Sequence, residues 1–214
     1  MQVLRRTWLI GAAATLALPA LASSRRALSP MTDGPFYPPR AWRERSATDW
    51  DADLTRVAAD GRTLTARGEH LGLQAVVADT GGRLIDGAEV EIWQCDALAA
   101  YRHPGVAIEP GRQDAGFQGF GAARSDRLGT LRLRTIKPVP YPGRTPHIHV
   151  KLRHASFGEW TSQLFIAGDA GNARDFLWRA VPAADRAALE MQLLGASADS
   201  GLRWQVQHTL VVPA

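Results

Sequence analysis

The sequence predicts an all-β protein: a β-sandwich of mostly antiparallel strands, behind an extended N-terminal arm and with a short C-terminal helix. Three observations carry this. Six short β-prone runs lie between residue 72 and residue 212, several with apolar side chains at every second position. Turn-forming residues such as Thr80-Gly81-Gly82 separate them. Residues 182–194 are the one later segment with a helical pattern, with Pro182 in its first turn and Gly195 just past its end. Short strands, turn signals and one late helix are the pattern of a sandwich.

The elements follow in order. Residues 1–22 read as an export signal: Arg5-Arg6, an uncharged apolar run from Trp8 to Ala22, and Ala20-Leu21-Ala22 as a small-x-small cleavage pattern. That run is 15 residues long and contains Pro19. A membrane span needs about 20 residues, so a removable signal fits better than an anchor. The adjacent arginines look like a twin-arginine signal, against the alternative of an ordinary secretory signal that happens to carry two arginines. The twin-arginine reading predicts a periplasmic protein exported already folded, by a route often used where a cofactor is inserted before export. Residues 23–70 read as an arm, rich in Pro and Gly over 30–40 and without a sustained period over 41–70. Residues 71–214 read as the sandwich domain. Within it, runs 72–79, 88–96, 129–136, 146–152, 162–166 and 204–212 are the expected strands. In the second, Val90 and Ile92 face one way and Glu91, Trp93 and Cys95 the other.

Composition narrows the function classes. The 214 residues carry 25 Lys+Arg and 21 Asp+Glu, a net charge of +4 and one Cys. A single Cys excludes an internal disulfide and a Cys-rich zinc site. Loss of residues 1–22 would remove Arg5 and Arg6 and no acid, leaving 23 basic against 21 acidic residues, a net +2. The remaining arginines are scattered, so no basic stripe predicts a nucleic-acid partner. Self-association is left open.

The chemistry concentrates between Trp93 and Gln163. In HIHVKL, residues 147–152, His147 and His149 share a face and Ile148, Val150 and Leu152 take the other. Imidazoles about 7 Å apart along a strand can reach one metal ion, or can simply be two partly buried histidines. Tyr141 and Arg144 lie on the Pro/Gly-rich loop entering this strand, and Tyr101 follows the VEIWQCD run; two of three tyrosines therefore sit on these loops, where ordinary packing is the bland alternative. Taken together, two tyrosines and two histidines suit a hard, highly charged metal better than zinc. A phenol with an ordinary pKa of about 10 binds as phenolate at neutral pH only to a strongly acidic ion such as Fe(III). Two phenolates and a hydroxide would neutralise it, and an aromatic ortho-diol could chelate it by displacing anionic ligands.

The stretch GLQAVVADTGGRLIDGAEVEIWQCDALAAYRHP, then FQGFGAARSDRLGTLRLRTIKP and YPGRTPHIHVK, resembles the intradiol ring-cleavage dioxygenases. Within that family the likeness is to the protocatechuate 3,4-dioxygenase β-chain type and its short exported subgroup. It spans roughly residues 31–169, from TDGPFYP and DADLTRV to SQLFIAGD. The resemblance implies a β-sandwich with mononuclear non-haem Fe(III), acting on a small aromatic ortho-diol and O₂ to give a muconate-type diacid. By position it implies Tyr101, Tyr141, His147 and His149 as metal ligands, with Tyr141 the one that lets go when substrate binds. It implies Arg144 as the arginine that stabilises the anionic ring, against the alternative of a strand-edge salt bridge. Gln163 is implied to approach the substrate, against that of a partly exposed strand residue. Two departures leave the substrate open: only five residues separate Tyr141 from His147, and the family's Arg-Gly near FQGFGAARSD is absent.

Other residues carry milder expectations. His103 reads as a loop histidine, His70, His154 and His208 as structural or exposed, and Cys95 as a small buried residue. Phe36 and Tyr37 either line the pocket or pack the arm. The rival of another class is a metal-free, transthyretin-like periplasmic binding module, which has no need of the Tyr/Tyr/His/His set. A zinc hydrolase would need a carboxylate or third histidine near His147.

Overall fold

The computed structural model describes residues 25–45, 50–105, 109 and 111–214. The export signal expected over residues 1–22 lies outside them. Two sheets face each other. The first has four strands in the order β10 (Leu194–Gly195), β11 (Trp204–Val212), β3 (His70–Asp79) and β6 (Thr130–Ile136). The second has five, in the order β5 (Phe120–Arg124), β4 (Glu89–Trp93), β7 (His147–His154), β8 (Gly158–Ile166) and β9 (Glu190–Met191). Pairing is antiparallel except for β11 with β3 and β8 with β9. All six expected strands form.

The core lies between the sheets and uses the period-2 residues. Leu71, Leu73, Ala75 and Val77 of β3 meet Val90 and Ile92 of β4 and Ile148, Val150 and Leu152 of β7 in one apolar cluster. The opposite face of the five-stranded sheet presents Glu91, Trp93, His147, His149 and Lys151, and these are buried too. The arm covers them. Its Leu28 N–H donates to Val211 O (2.9 Å) and its Met31 N–H to Thr161 O (2.9 Å), so it bridges β11 and β8 before crossing the sheet. Asp33 then accepts from Lys151 Nζ (2.6 Å) and Thr161 Oγ1 (2.7 Å).

The segment read as an arm holds more regular structure than its composition suggested. It contains the helix α1 (Arg40–Arg45) and the hairpin of β1 (Arg56–Ala59) with β2 (Arg62–Thr65). The hairpin turns at Asp60-Gly61, both at positive φ (50° and 72°), as a tight two-residue turn requires.

The helix expected over 182–194 is corrected. The short helix of this region, α2 (Phe176–Ala180), precedes Pro182, and 182–194 holds a 3₁₀ turn, Arg186–Leu189, then β9. The physical reason is an unfilled sheet edge. Glu190 and Met191 pair with Phe165 and Ile166 of β8, and Leu189 and Met191 bury their side chains. Tertiary pairing thus overrides a run of good helix formers, since propensity is only a weak bias on its own.

Candidate metal centre

Sheet register assembles the site. Trp93 of β4 sits opposite His149 of β7, which sits opposite Gln163 of β8, so the three share one row of the sheet. His147 points to the same face one pleat further on. Tyr101 is delivered by the loop after β4, which the buried Asp96 organises: its carboxylate accepts from the N–H groups of Leu98 (2.8 Å), Ala100 (2.9 Å) and Asp114 (2.7 Å). Tyr141 and Arg144 flank a tight turn, with Arg144 N–H donating to Tyr141 O (2.9 Å) and Gly143 at φ 85°.

The structure brings together all four expected ligands. Ring centroids are 5.6 Å apart for Tyr101–Tyr141, 5.5 Å for Tyr141–His147, 4.9 Å for His147–His149 and 6.2 Å for Tyr101–His149. The two Nε2 atoms lie 3.3 Å from each other, close enough for both to bind one ion at an ordinary bond length of about 2.1 Å. His147 Nδ1 is 2.7 Å from Thr145 O, which makes Nδ1 the donor and turns the Nε2 lone pair inward. His149 is held by stacking on Trp93 (4.7 Å, 12°). Gly34, at φ 72°, closes over it: a Cβ there would lie 3.5 Å from His149 Cε1.

Electrostatics suit a cationic guest. Burial lowers both imidazoles, His147 to about 4 with help from Arg144, and His149 well below the usual range with help from His147 and Arg144. Both are therefore neutral donors at neutral pH. Burial, then the nearby Tyr141, raises the Tyr101 phenol far above its usual value, and its buried hydroxyl has no hydrogen-bond partner. Only a strongly Lewis-acidic ion would ionise it. This donor set fits Fe(III). Among the described residues no group of three or more His, Cys, Asp or Glu is placed to hold a metal. Stripped of metal, the protein should lose stability as pH falls from about 6.5 to about 4. In that window the unfolded histidines bind protons that the folded pair refuses. Thermal unfolding of chelator-treated protein across that window checks this.

The remaining expected residues take defined places. Arg144 Nη2 donates to Gln163 Oε1 (2.5 Å), Nη1 to Tyr141 Oη (3.5 Å) and Nε to Asp175 Oδ2 (2.8 Å). Gln163 is 1% exposed, not a half-exposed strand residue, and its Nε2 has no protein partner. Arg144 also borders a cleft of about 820 Å³ shared with Pro138, Val139, Asp169 and Arg174. Phe36 stacks on Tyr101 (4.3 Å) and Tyr37 packs edge-on against Trp93 (4.9 Å), so the arm both lines and packs the site. Burial and Glu91 push the Tyr37 phenol up to about 12, and its hydroxyl is engaged by Glu91 and Arg153. His103 is not part of the cluster; its Nδ1 accepts from Gly105 N–H (3.0 Å). His70, His154 and His208 bond to Ala66 O, Ser156 and Ala188 O, away from it. Burial pushes the Cys95 thiol up to about 12, as for an inert packed residue.

Sequence reading missed Asp96, Thr145 and Asp175. Asp175 had a signal, since an Asp directly before FLW is a helix N-cap pattern.

A family model described as Dioxygenase (Dioxygenase_C) matches residues 33–207. The protocatechuate 3,4-dioxygenase beta chain of Burkholderia cepacia is 34% identical over 145 residues, covering 64% of this chain and 60% of that one. The hydroxyquinol 1,2-dioxygenase of Corynebacterium glutamicum is 25% identical over 122 residues, covering 49% of this chain and 38% of that one. The chain thus spans less than two thirds of the length of either. Among solved structures, the dioxygenase domain of a dioxygenase–carbohydrate-binding fusion from Streptomyces sp. SirexAA-E aligns with a TM-score of 0.62 at 25% identity, covering 88% of this chain and 99% of that one. An intradiol ring-cleavage dioxygenase from Tetranychus urticae shares the fold, with a TM-score of 0.65 at 17% identity over 88% and 95% of the two chains. By its family match and its fold, the chain belongs to the intradiol ring-cleavage dioxygenases.

Proposed function

We propose that this protein is a non-haem Fe(III) intradiol dioxygenase, opening a catechol-type ring between its two hydroxyl-bearing carbons with O₂ to give a muconate-type diacid. The observation that carries this reading is the convergence of Tyr101, Tyr141, His147 and His149 at one end of the sheet, with Arg144 and Gln163 beside them. Fe(III) held by these four side chains would supply the Lewis acidity that draws in both oxygens of an ortho-diol and primes its ring for O₂.

The chain's own residues divide the remaining work. His147 and His149 stay neutral and fixed, one by Thr145 and the other by Trp93. Tyr101 is buried beneath Phe36 and has no room to leave, whereas Tyr141 is only half-buried. Tyr141 is therefore the residue to swing out, and its released oxygen can take a proton from the entering diol. Arg144 Nη1, 3.5 Å from that oxygen, is placed to stabilise the phenolate or the substrate anion that replaces it. Phe36 over Tyr101 and Trp93 over His149 shield these two side chains from water. Among the described residues no helix is long and apolar enough to cross a membrane.

The test is oxygen uptake by iron-loaded protein with catechol, protocatechuate and hydroxyquinol, together with its visible spectrum. Uptake on at least one diol, and a broad tyrosinate-to-Fe(III) absorption that weakens in Tyr101→Phe, is the expected result. Stoichiometric iron in a colourless protein would overturn the ligand set, and no uptake on any diol would overturn the substrate class.

A further inference from the structure

Asp175 is buried, and every lone-pair direction of its carboxylate is used. Oδ1 accepts from the N–H groups of Leu177 (2.9 Å) and Trp178 (3.0 Å), capping α2. Oδ2 accepts from Arg144 Nε (2.8 Å) and from Thr145 N–H (3.0 Å). Burial opposes its ionisation, but the Trp178 N–H and Arg144 outweigh it and hold the carboxyl below the usual range.

Two chains of contact leave Oδ2, and both end at the metal centre. Along the first, Arg144 is gripped at Nε and so presents Nη2 to Gln163 Oε1 at 2.5 Å. A guanidinium only donates, so the oxygen of the Gln163 amide must face it and the NH₂ must face away. That NH₂ is buried and has no protein partner. Along the second, Thr145, whose N–H is held by Asp175, offers its carbonyl to His147 Nδ1 at 2.7 Å. Nδ1 therefore keeps its proton, and the Nε2 lone pair faces His149 and the centre. The ring of Phe176, next in sequence, lies against the same guanidinium, its centroid 5.4 Å from the guanidinium carbon.

We propose that Asp175 is the positioning residue of this site: through Arg144 it turns the Gln163 amide NH₂ toward bound substrate, and through Thr145 it fixes the ligating tautomer of His147. The Gln163 limb rests on the dioxygenase reading; the His147 limb needs only a metal.

Asp175→Asn separates this role from helix capping. Asparagine caps as well as aspartate does, but with its oxygen on Leu177 and Trp178 it turns an NH₂ toward Arg144 and Thr145, donor against donor. In metal-free protein the Arg144 Nε–H and Gln163 side-chain amide resonances should shift. Iron affinity should fall about 10–100-fold, as for loss of an outer partner of a ligating histidine. Turnover of a diol that wild type accepts should fall about 100-fold. Combined with Arg144→Ala, the same change should lower turnover per bound iron no further than Arg144→Ala alone, since the His147 limb acts through iron affinity. Unchanged resonances and unchanged iron affinity would overturn the proposal, and additive losses with Arg144→Ala would overturn its Arg144 limb. If wild type turns over no diol, the dioxygenase reading fails, while the resonances and iron affinity still decide on Asp175. If Asp175→Asn does not fold, Asp175→Ser also caps α2 but is too short to reach Arg144, and the same readouts apply.

Discussion

Replacing His149 with alanine is expected to leave a folded chain that takes up almost no iron and consumes no oxygen with any ortho-diol. Of the four side chains at the centre, only the two imidazoles are neutral donors already in their binding form; the Tyr101 phenol is held protonated until a strong Lewis acid arrives. Losing one imidazole therefore removes half of what captures the metal first. Changing an outer partner of a metal ligand already costs about 10–100-fold in affinity, and deleting the ligand itself exceeds that. The chain should survive, because the imidazole leaves a gap between Trp93 and Gly34 on the arm side of the sheet, away from the inter-sheet core. Iron per chain by elemental analysis, with circular dichroism of the metal-free forms, checks this. His70→Ala serves as the comparison, since His70 bonds to Ala66 O away from the site and should load iron normally. A full iron complement in His149→Ala would remove His149 from the ligand set.

The second large effect is on stability. Glu91 is 1% exposed, and its carboxylate accepts from Tyr37 Oη (2.7 Å), Arg43 Nη1 (2.9 Å) and Arg153 Nη1 (2.5 Å). Glu91→Ala strands two partly buried guanidinium groups. Breaking such a network by removing one partner costs about 3 kcal/mol, the lower end of the usual range, because Arg153 retains Glu159 (2.8 Å). For a chain of this size that lowers the unfolding midpoint by about 6–12 °C. The loss should also reach the site. Tyr37 and Arg43 belong to the arm, so releasing them loosens Phe36 from Tyr101 and speeds hydrogen exchange over residues 33–43. A midpoint shift below about 2 °C, or unchanged exchange there, would show that the apolar contacts of the arm suffice.

The sandwich was legible where side chains alternate cleanly. β3, β6 and β11 announced themselves through apolar residues facing a single core. β5 did not, because FGAAR carries small residues for a steric reason: a Cβ at Gly121 would sit 2.3 Å from Asp51 O. That requirement is set by a partner seventy positions upstream, and no local pattern encodes it. The β1–β2 hairpin had its Asp60-Gly61 turn in plain view, but its strands are short and mostly exposed, so no buried face marked them. The helical reading of 182–194 failed because nothing local says that β8 leaves an edge for Glu190 and Met191. At the site, the meeting of Tyr101, Tyr141, His147, His149 and Arg144 was legible because the YRHP and YPGRTPHIHVK stretches carry the family resemblance. Asp175 was legible only as a helix cap, since its bond to Arg144 spans 31 residues and belongs to no motif.

The parallel pairing of β11 with β3 bears on how the chain is made. β11 lies between β10 and β3 in its sheet, and its Val206, Leu210 and Val212 help fill the core. As the polypeptide leaves the ribosome, Tyr101, Tyr141, His147 and His149 have all emerged once residue 149 is out. The strand that completes the sheet behind them is still unmade. The β3 edge must wait, unpaired, for a partner more than 130 residues later in translation. Long-range parallel pairing of this kind is slow and exposed to aggregation. Closure of this core therefore waits for β11, and the sheet that backs the pocket is completed only well after all four side chains have emerged.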